Sequence, residues 1–189
     1  MTDAQAVLAG YVLALPAPRE IYQNSQLVPA HFITVSRCLN PADRSTTRTG
    51  LDARPRLLAV GMLPDDAREL LDEMTDTFAA PDEPGSDVAN PLKLLPSGAP
   101  MPADCRLLGF EVVGVGWAMS EFHSWLCHSY EREVEEQLGI RPNAVGLLDT
   151  HENATRIRDW MEEQPPENAP EPVFWTVVAV AEIAELPLA

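Results

Sequence analysis

Three residues in the segment 116–139 have side chains that could bind a metal ion. His123, Cys127 and Glu131 follow one another at intervals of four residues, a spacing that places side chains on one face of a helix. Two side chains four residues apart can reach one ion, whereas zinc takes three or four protein ligands. Any further ligand would have to come from a distant part of the chain, and no spacing selects one. We therefore predict no metal site.

A thiolate with a neighbouring base is the second chemistry that this segment suggests. Cys127 precedes His128 directly, but adjacent residues of a helix point about 100° apart and cannot readily form a hydrogen bond. A reactive cysteine also needs an exposed position or a helix N-terminus, which lowers the pKa of its thiol. We therefore predict no catalytic residue. A small hydrolase-like or metal-dependent enzyme that uses His123 or His128 with Cys127 is kept as the alternative function.

The element expected to position these side chains is a single amphipathic helix over residues 116–139. Its apolar residues recur at helical spacing and form one broad arc. The members of that arc are Met119, Phe122, Trp125, Leu126, Tyr130, Val134 and Leu138. His123 and Cys127 fall inside the arc, so both are expected in the core. The opposite side, expected to be exposed, carries Glu121, Ser124, His128, Glu131, Arg132 and Glu135.

The other patterns predict an α+β domain, with about three helices packed on a mostly antiparallel sheet. Short apolar runs predict strands at residues 10–15, 30–35, 56–63, 105–115, 144–148 and 173–183. The last run is the richest in β-branched and aromatic residues, so it is expected to be central. Starts that resemble capping boxes predict helices over 65–78 and 149–163. Because strand and helix alternate after Arg56, an α/β arrangement is the alternative.

The chain of 189 residues is expected to form one domain, residues 1–189, with two irregular segments. Residues 40–55 are polar, contain arginines and lack apolar periodicity, which is typical of a mobile loop. Residues 80–103 contain six prolines, too many for a helix or a central strand. We expect a long surface connection there.

Several features favour a cytoplasmic protein. The three cysteines are widely spaced and form no CxxC pair, which favours reduced thiols. An acidic residue, Asp3, stands where a signal peptide has basic ones. No window approaches the ~20 apolar residues that a membrane span needs. The segment 114–120 lacks the GxGxxG pattern, so no dinucleotide cofactor is predicted.

The net charge, −16 at pH 7, is the most distinctive global property of the chain. Through Val60, six arginines stand against four acidic residues, a balance of +2, so the remaining residues carry −18. Direct binding of nucleic acid by this larger part is disfavoured because its phosphates would be repelled, whereas a basic protein would be attracted. The simpler interpretation, that acidity only keeps the protein soluble, stays open.

We expect a non-enzymatic binding protein with a basic protein partner and no cofactor. In character, although not in any motif, the chain is similar to small acidic immunity or inhibitor proteins that neutralise basic nucleases. The predicted binding residues lie on helix 65–78 and on the polar side of 116–139. They are Asp65, Asp66, Glu69, Asp72, Glu73, Asp76, Glu121, His128, Glu131 and Glu135. A structural subunit of a larger assembly is a further alternative, and the sequence does not indicate an oligomeric state.

Overall fold

The computed structural model describes residues 5–22, 26–36, 39, 56–78, 96–116, 122–164 and 173–183. Its strands are β1 (Val7–Ala14), β2 (Ala17–Pro18), β3 (His31–Phe32), β4 (Arg56–Met62), β5 (Cys105–Gly116), β6 (Phe122–Ser124) and β7 (Val173–Ile183). Its α-helices are α1 (Arg19–Tyr22), α2 (Pro64–Phe78), α3 (Glu131–Leu138) and α4 (His151–Glu162). A short 3₁₀ helix spans Trp125–His128. Among these residues, no helix is long and apolar enough to cross a membrane.

Five strands form one sheet in the order β1-β4-β7-β5-β6, and β2 pairs with β3 separately. Every neighbouring pair of described strands is antiparallel. With helices packed on a curled antiparallel sheet, the predicted α+β class is confirmed and the α/β alternative is excluded. β7 lies in the middle of the sheet, as its β-branched and aromatic composition predicted.

The sheet has a hydrophobic core on each face. Alternate residues of β7 point to opposite faces, so Trp175 and Val177 join the cluster that contains residues of α4. Val178 and Val180 join a second cluster with residues of β4 and of the segment 33–35. Burying an aliphatic side chain of this size contributes about 1.5–3 kcal/mol. Burial on both faces explains why β7 is almost continuously apolar.

The helices α2 and α4 begin within two residues of the predicted positions. Pro64 opens α2, where its lack of an N–H costs nothing. The N-cap of α4 is Thr150, whose side chain accepts a hydrogen bond from the backbone N–H of Asn153 at 3.1 Å. Asp149, the first residue of the predicted helix, instead accepts a hydrogen bond from the side chain of Asn143. The true cap therefore shortens the predicted helix 149–163 at its start.

The single helix predicted over 116–139 is wrong. β5 extends to Gly116, and β6 pairs with it, with Val113 opposite Ser124. The hydroxyl of Ser124 accepts from the backbone N–H of Leu126 and caps the 3₁₀ helix. Ser129 follows in the left-handed conformation, φ 60°, so α3 starts only at Glu131. Backbone pairing with β5 therefore overrides the helical periodicity. Residues 117–121 lie outside the described part.

Two predicted strands are much shorter than expected. Within 30–35 only His31 and Phe32 are extended and paired. Within 144–148, pairing is limited to an isolated bridge between Leu148 and Phe110. Both segments lie against β5, where side-chain and isolated backbone hydrogen bonds hold them. Neither segment forms a further strand of the five-stranded sheet.

The end of the proline-rich segment 80–103 lies along β1. The backbone N–H of Leu8 donates to Ala99 at 2.6 Å, and that of Ser97 donates to Leu8 at 2.8 Å. Met101 packs directly over Gly61 of β4, where even a Cβ atom would collide with its sulfur. These contacts cover part of an edge strand that would otherwise offer unpaired backbone groups. The predicted loop 40–55 and residues 80–95 of the predicted connection lie outside the described residues.

Candidate protein-binding surface

Four exposed carboxylates lie along one stripe of α2. Asp65, Glu69, Asp72 and Glu73 occupy helical positions i, i+4, i+7 and i+8 and are all exposed. Together with Arg68 they line a shallow groove of about 320 Å³. We name these four carboxylates the α2 acidic surface. The helix also carries Asp76, but its side chain lies outside the described part.

Two arginines partly neutralise the α2 acidic surface. Arg68 donates to Asp65 at 2.8 Å, and Nη1 of Arg158 on α4 lies 3.2 Å from Glu69. Within the described residues, Asp72 and Glu73 form no ion pair. Half of the surface is therefore available to a cation from outside.

Asp66 lies in the interior, although the sequence predicted it for the exposed face of its helix. Its Oδ2 is 2.7 Å from Nε2 of His151, and its Oδ1 is 3.5 Å from Nη1 of Arg158. The side chain is only 5% exposed, because Asp66 precedes the buried Leu70 by four residues and shares its side of the helix. Asp66 therefore joins α2 to α4 and is not part of the binding surface.

The charge between α2 and α4 remains negative despite Arg158. Burial alone would lower the pKa of Arg158, but its hydrogen bond to Asp159 and the nearby carboxylates raise it. Burial also raises the pKa of Glu162 at the end of α4. The negative charges of Glu69, Asp159 and Glu73 raise that pKa further, while Arg158 opposes them. Carboxylates of both helices therefore share one region of negative potential.

The residues predicted on the polar side of 116–139 do not form an exposed acidic edge. Glu131 is buried, 3% exposed, and its Oε2 has no hydrogen-bond partner in the described structure. His128 is half-buried, with its ring edge-on to Trp175 at a centroid distance of 5.5 Å. Glu135 is half-buried and forms an ion pair with Arg141. Glu121 lies outside the described residues. Loss of the continuous helix explains the difference, because these side chains no longer share one face.

The residues of the enzymatic alternative lie in or beside the hydrophobic core. His123 is only 8% exposed, and its ring centroid is 6.5 Å from that of His128. Cys127 packs against the core cluster, with Sγ 3.7 Å from Oγ of Ser36. Its position late in a 3₁₀ helix gives the thiol no helix N-terminus to stabilise a thiolate. This burial disfavours a solvent-accessible catalytic pair.

The other described cysteine is also a poor nucleophile. Burial raises the pKa of the Cys105 thiol, and the charge of Asp104 raises it further. The thiol donates to the carbonyl oxygen of Pro102 at 2.9 Å. Among the described residues, no group of three or more His, Cys, Asp or Glu side chains is arranged to hold a metal ion.

Sequence reasoning missed two polar groups that the structure assembles. His151, Thr155 and Arg158 form a stripe at positions i, i+4 and i+7 of α4 that faces α2. That spacing was a usable signal for a polar helix contact. Glu111 is buried within β5. Its position inside the apolar run 108–115 was a usable signal, because a carboxylate in such a run is expected to be buried with hydrogen-bond partners.

Comparison with known proteins gives no relative for this arrangement. No family model, no curated protein and no solved structure matches the chain.

Proposed function

We propose that the chain is a non-enzymatic binding protein, of the immunity or inhibitor kind, that docks a basic protein partner on the α2 acidic surface. The observation that supports this is the alignment of four exposed carboxylates around one groove. Because Asp72 and Glu73 have no ion-pair partner among the described residues, an arginine or lysine of the partner can bind them without breaking an internal salt bridge.

Charge is expected to act mainly on the rate of association. A net charge of −16 attracts a basic protein over distances comparable to the Debye length. Each exposed ion pair contributes only about 0.2–1 kcal/mol to affinity, so the α2 acidic surface alone supports weak binding. Tight binding of the inhibitor kind would need a few buried apolar contacts in addition.

The proposal includes a cytoplasmic location. The thiol of Cys105 is free, and the three cysteines of the sequence form no CxxC pair, as expected in a reducing compartment. We do not propose direct binding of nucleic acid, because a chain with a net charge of −16 repels phosphates.

Two double variants with the same change in charge test the proposal. D72N/E73Q neutralises the unpaired half of the α2 acidic surface, and E133Q/E136Q neutralises two exposed carboxylates of α3. The partner is captured from an extract of the native host at low salt and identified by mass spectrometry. Its association rate with each variant is then measured between about 50 and 300 mM salt.

We expect the association rate of the unmodified chain to fall about tenfold over this range of salt. D72N/E73Q should slow association more than E133Q/E136Q does at low salt. A rate that does not change with salt would refute the electrostatic proposal, and equal effects of the two variants would remove α2 as its location.

A further inference from the structure

A short segment of the chain covers the first half of β1. We name residues 97–101 the β1 strap; they run antiparallel to β1. The backbone N–H of Leu8 donates to the carbonyl oxygen of Ala99 at 2.6 Å. The carbonyl oxygen of Leu8 accepts from the backbone N–H and from the hydroxyl of Ser97, each at 2.8 Å. Backbone groups of β1, with which any extended chain can pair, therefore hold the strap.

One apolar side chain anchors the β1 strap. Residues 97–100 are exposed, whereas Met101 is half-buried. The sulfur of Met101 lies over Gly61 of β4, so close that a Cβ on the glycine would be 2.5 Å from it. Segments that bury few apolar side chains are the first to open in a folded protein. We therefore expect the strap to leave β1 while the sheet stays intact.

The outer side of the β1 strap is a poor template for a further strand. Val7 and Pro100 face each other in the bridge, and the hydrogen bonds come from the residues on either side of them. In an antiparallel pair this arrangement turns the nitrogen of Pro100 away from β1. Proline has no N–H to offer there, and Pro102, two residues on, lacks one as well. A strand that pairs with this part of the sheet must therefore replace the strap.

The edge beneath the strap has the features of a strand-binding site. The N–H of Leu8 and the carbonyl oxygens of Ala6 and Leu8 point toward the strap, and Gly61 leaves a hollow that the Met101 side chain fills. Tyr11 lies on the same face of the sheet as Gly61, because it pairs with Ala59. Its side chain is 52% exposed. Main-chain hydrogen bonds supply affinity in strand addition, and hollows for alternate side chains supply specificity.

We propose that the β1 strap is an autoinhibitory contact on a strand-binding edge, and that this edge takes an extended segment of a basic protein when the strap leaves. The entering segment pairs with Leu8 and places an unbranched apolar side chain over Gly61, as Met101 does. A second copy of this chain is a poor occupant, because two chains of net charge −16 repel each other, whereas a basic segment is attracted. No residue of the α2 acidic surface takes part, so this inference and the proposed function can fail separately.

Hydrogen exchange of the unmodified chain tests whether the strap opens by itself and needs no variant to fold. The amide of Leu8 should exchange at least about 100-fold faster than the amides paired between β4 and β7, because opening the strap leaves the sheet folded. M101G should speed the exchange of Leu8 by about a further tenfold. L107A, which removes an exposed apolar side chain of β5, is the control and should not. Exchange of Leu8 only at the rate of global unfolding would overturn the proposal.

A fluorescently labelled peptide with the sequence of residues 96–102, PSGAPMP, tests what the edge binds. Its Kd for M101G should be at least about tenfold lower than for the unmodified chain, whose own strap competes at a millimolar effective concentration. A peptide with glycine in place of methionine should bind M101G at least about tenfold more weakly, because it leaves the hollow over Gly61 empty. An arginine added at each end of the peptide should tighten binding at low salt.

Three results of these measurements would overturn the proposal. One is equal affinity of the peptide for M101G and for the unmodified chain, and another is no binding to M101G at about 1 mM peptide. The third is a dimer of M101G in light scattering, which would assign the edge to a second copy of the chain.

Discussion

Among single residues, Glu111 shows most clearly how the fold tolerates a buried charge. It lies on β5 with 1% of its surface exposed. Its Oε1 accepts from the hydroxyl of Thr34 at 2.5 Å, and its Oε2 accepts from the backbone N–H of Val35 at 2.8 Å. The backbone N–H of Ser36 in turn donates to Thr34. A buried carboxylate is stable only with such donors, so Glu111 anchors the segment 34–36 to the sheet.

Replacing Glu111 with alanine should lower the free energy of unfolding by about 2–6 kcal/mol. The variant leaves the hydroxyl of Thr34 and the N–H of Val35 without their buried acceptor, at about 1–3 kcal/mol each. T34V removes one donor to the carboxylate and also the acceptor of the Ser36 N–H, so its loss should be similar in size. Urea denaturation monitored by tryptophan fluorescence measures both. An E111A variant within about 0.5 kcal/mol of the unmodified chain would contradict this role.

The burial of individual acidic residues was the part of the site that sequence could not predict. On a helical wheel Asp65 and Asp66 are both acidic residues of the first turn, yet one is exposed and the other is buried. The position of Asp66 four residues before Leu70 turns it inward, and its buried partner His151 is 85 residues away in the chain. A sequence pattern contains local spacing, whereas the partner of a buried charge is set by how distant elements pack.

Among the elements, those with a strong local pattern were predicted and those defined by distant pairing were not. The apolar runs of β4 and β7 and the periodicity of α2 gave bounds within a few residues of the observed ones. The segment 116–139 failed because the hydrogen bonds of β5 make a strand of Phe122–Ser124. A segment of three residues is too short for its pattern to distinguish the period of a helix from that of a strand, so pairing with β5 decides.

Two glycines, Gly139 at the end of α3 and Gly146 in the turn after Asn143, should differ sharply in their tolerance of alanine. Gly139 and Gly146 both have left-handed backbones, with φ of 69° and 87°, which costs an alanine about 1–2 kcal/mol. A Cβ at Gly139 meets nothing within 4 Å, whereas one at Gly146 overlaps the Cβ of the buried Phe32. Overpacking adds about 1–3 kcal/mol, so G146A should lose about 2–5 kcal/mol and G139A only the smaller amount. Equal losses in thermal and urea unfolding would show that Phe32 gives way freely.

The crowding of carboxylates between α2 and α4 should make Glu162 a destabilising charge at neutral pH. Its pKa is raised by burial first and then by Glu69, Asp159 and Glu73. A carboxyl group with a higher pKa in the folded state binds its proton more tightly there. Stability therefore falls as the pH rises from the unfolded value, about 4.3, through the folded one. E162Q should then stabilise the protein at pH 7 by a few tenths of a kcal/mol, because the group is largely exposed.

The gain from E162Q should be much smaller at about pH 4, where the carboxyl group is mostly protonated in both states. E163Q is the matched control, since Glu163 is the exposed C-cap of the same helix and shares the effect of the helix dipole. Chemical denaturation at pH 4 and pH 7 measures both variants. A destabilised E162Q at pH 7, or identical behaviour of the two variants, would show that the neighbouring carboxylates do not act on Glu162.

For the whole molecule, the excess of acidic residues is a cost to folding as well as a means of attracting a partner. The net charge of −16 is compressed into a smaller volume when the chain folds, and self-repulsion opposes that compression. Raising the ionic strength from about 10 to 150 mM shortens the Debye length from about 30 to 8 Å. Repulsion between exposed carboxylates is screened by this change, whereas the ion pairs of Arg158, 17% exposed, are screened much less.

Moderate salt should therefore stabilise the protein. We expect Tm to rise by about 2–4 °C between 10 and 150 mM KCl, which corresponds to about 1 kcal/mol for a chain of this size. The E133Q/E136Q variant carries two fewer negative charges, so its Tm should start higher and rise less with salt. Calorimetry of both chains at constant pH measures the two slopes. A Tm that falls with salt would mean that exposed ion pairs outweigh repulsion, and equal slopes would mean that the acidic residues do not act through their summed charge.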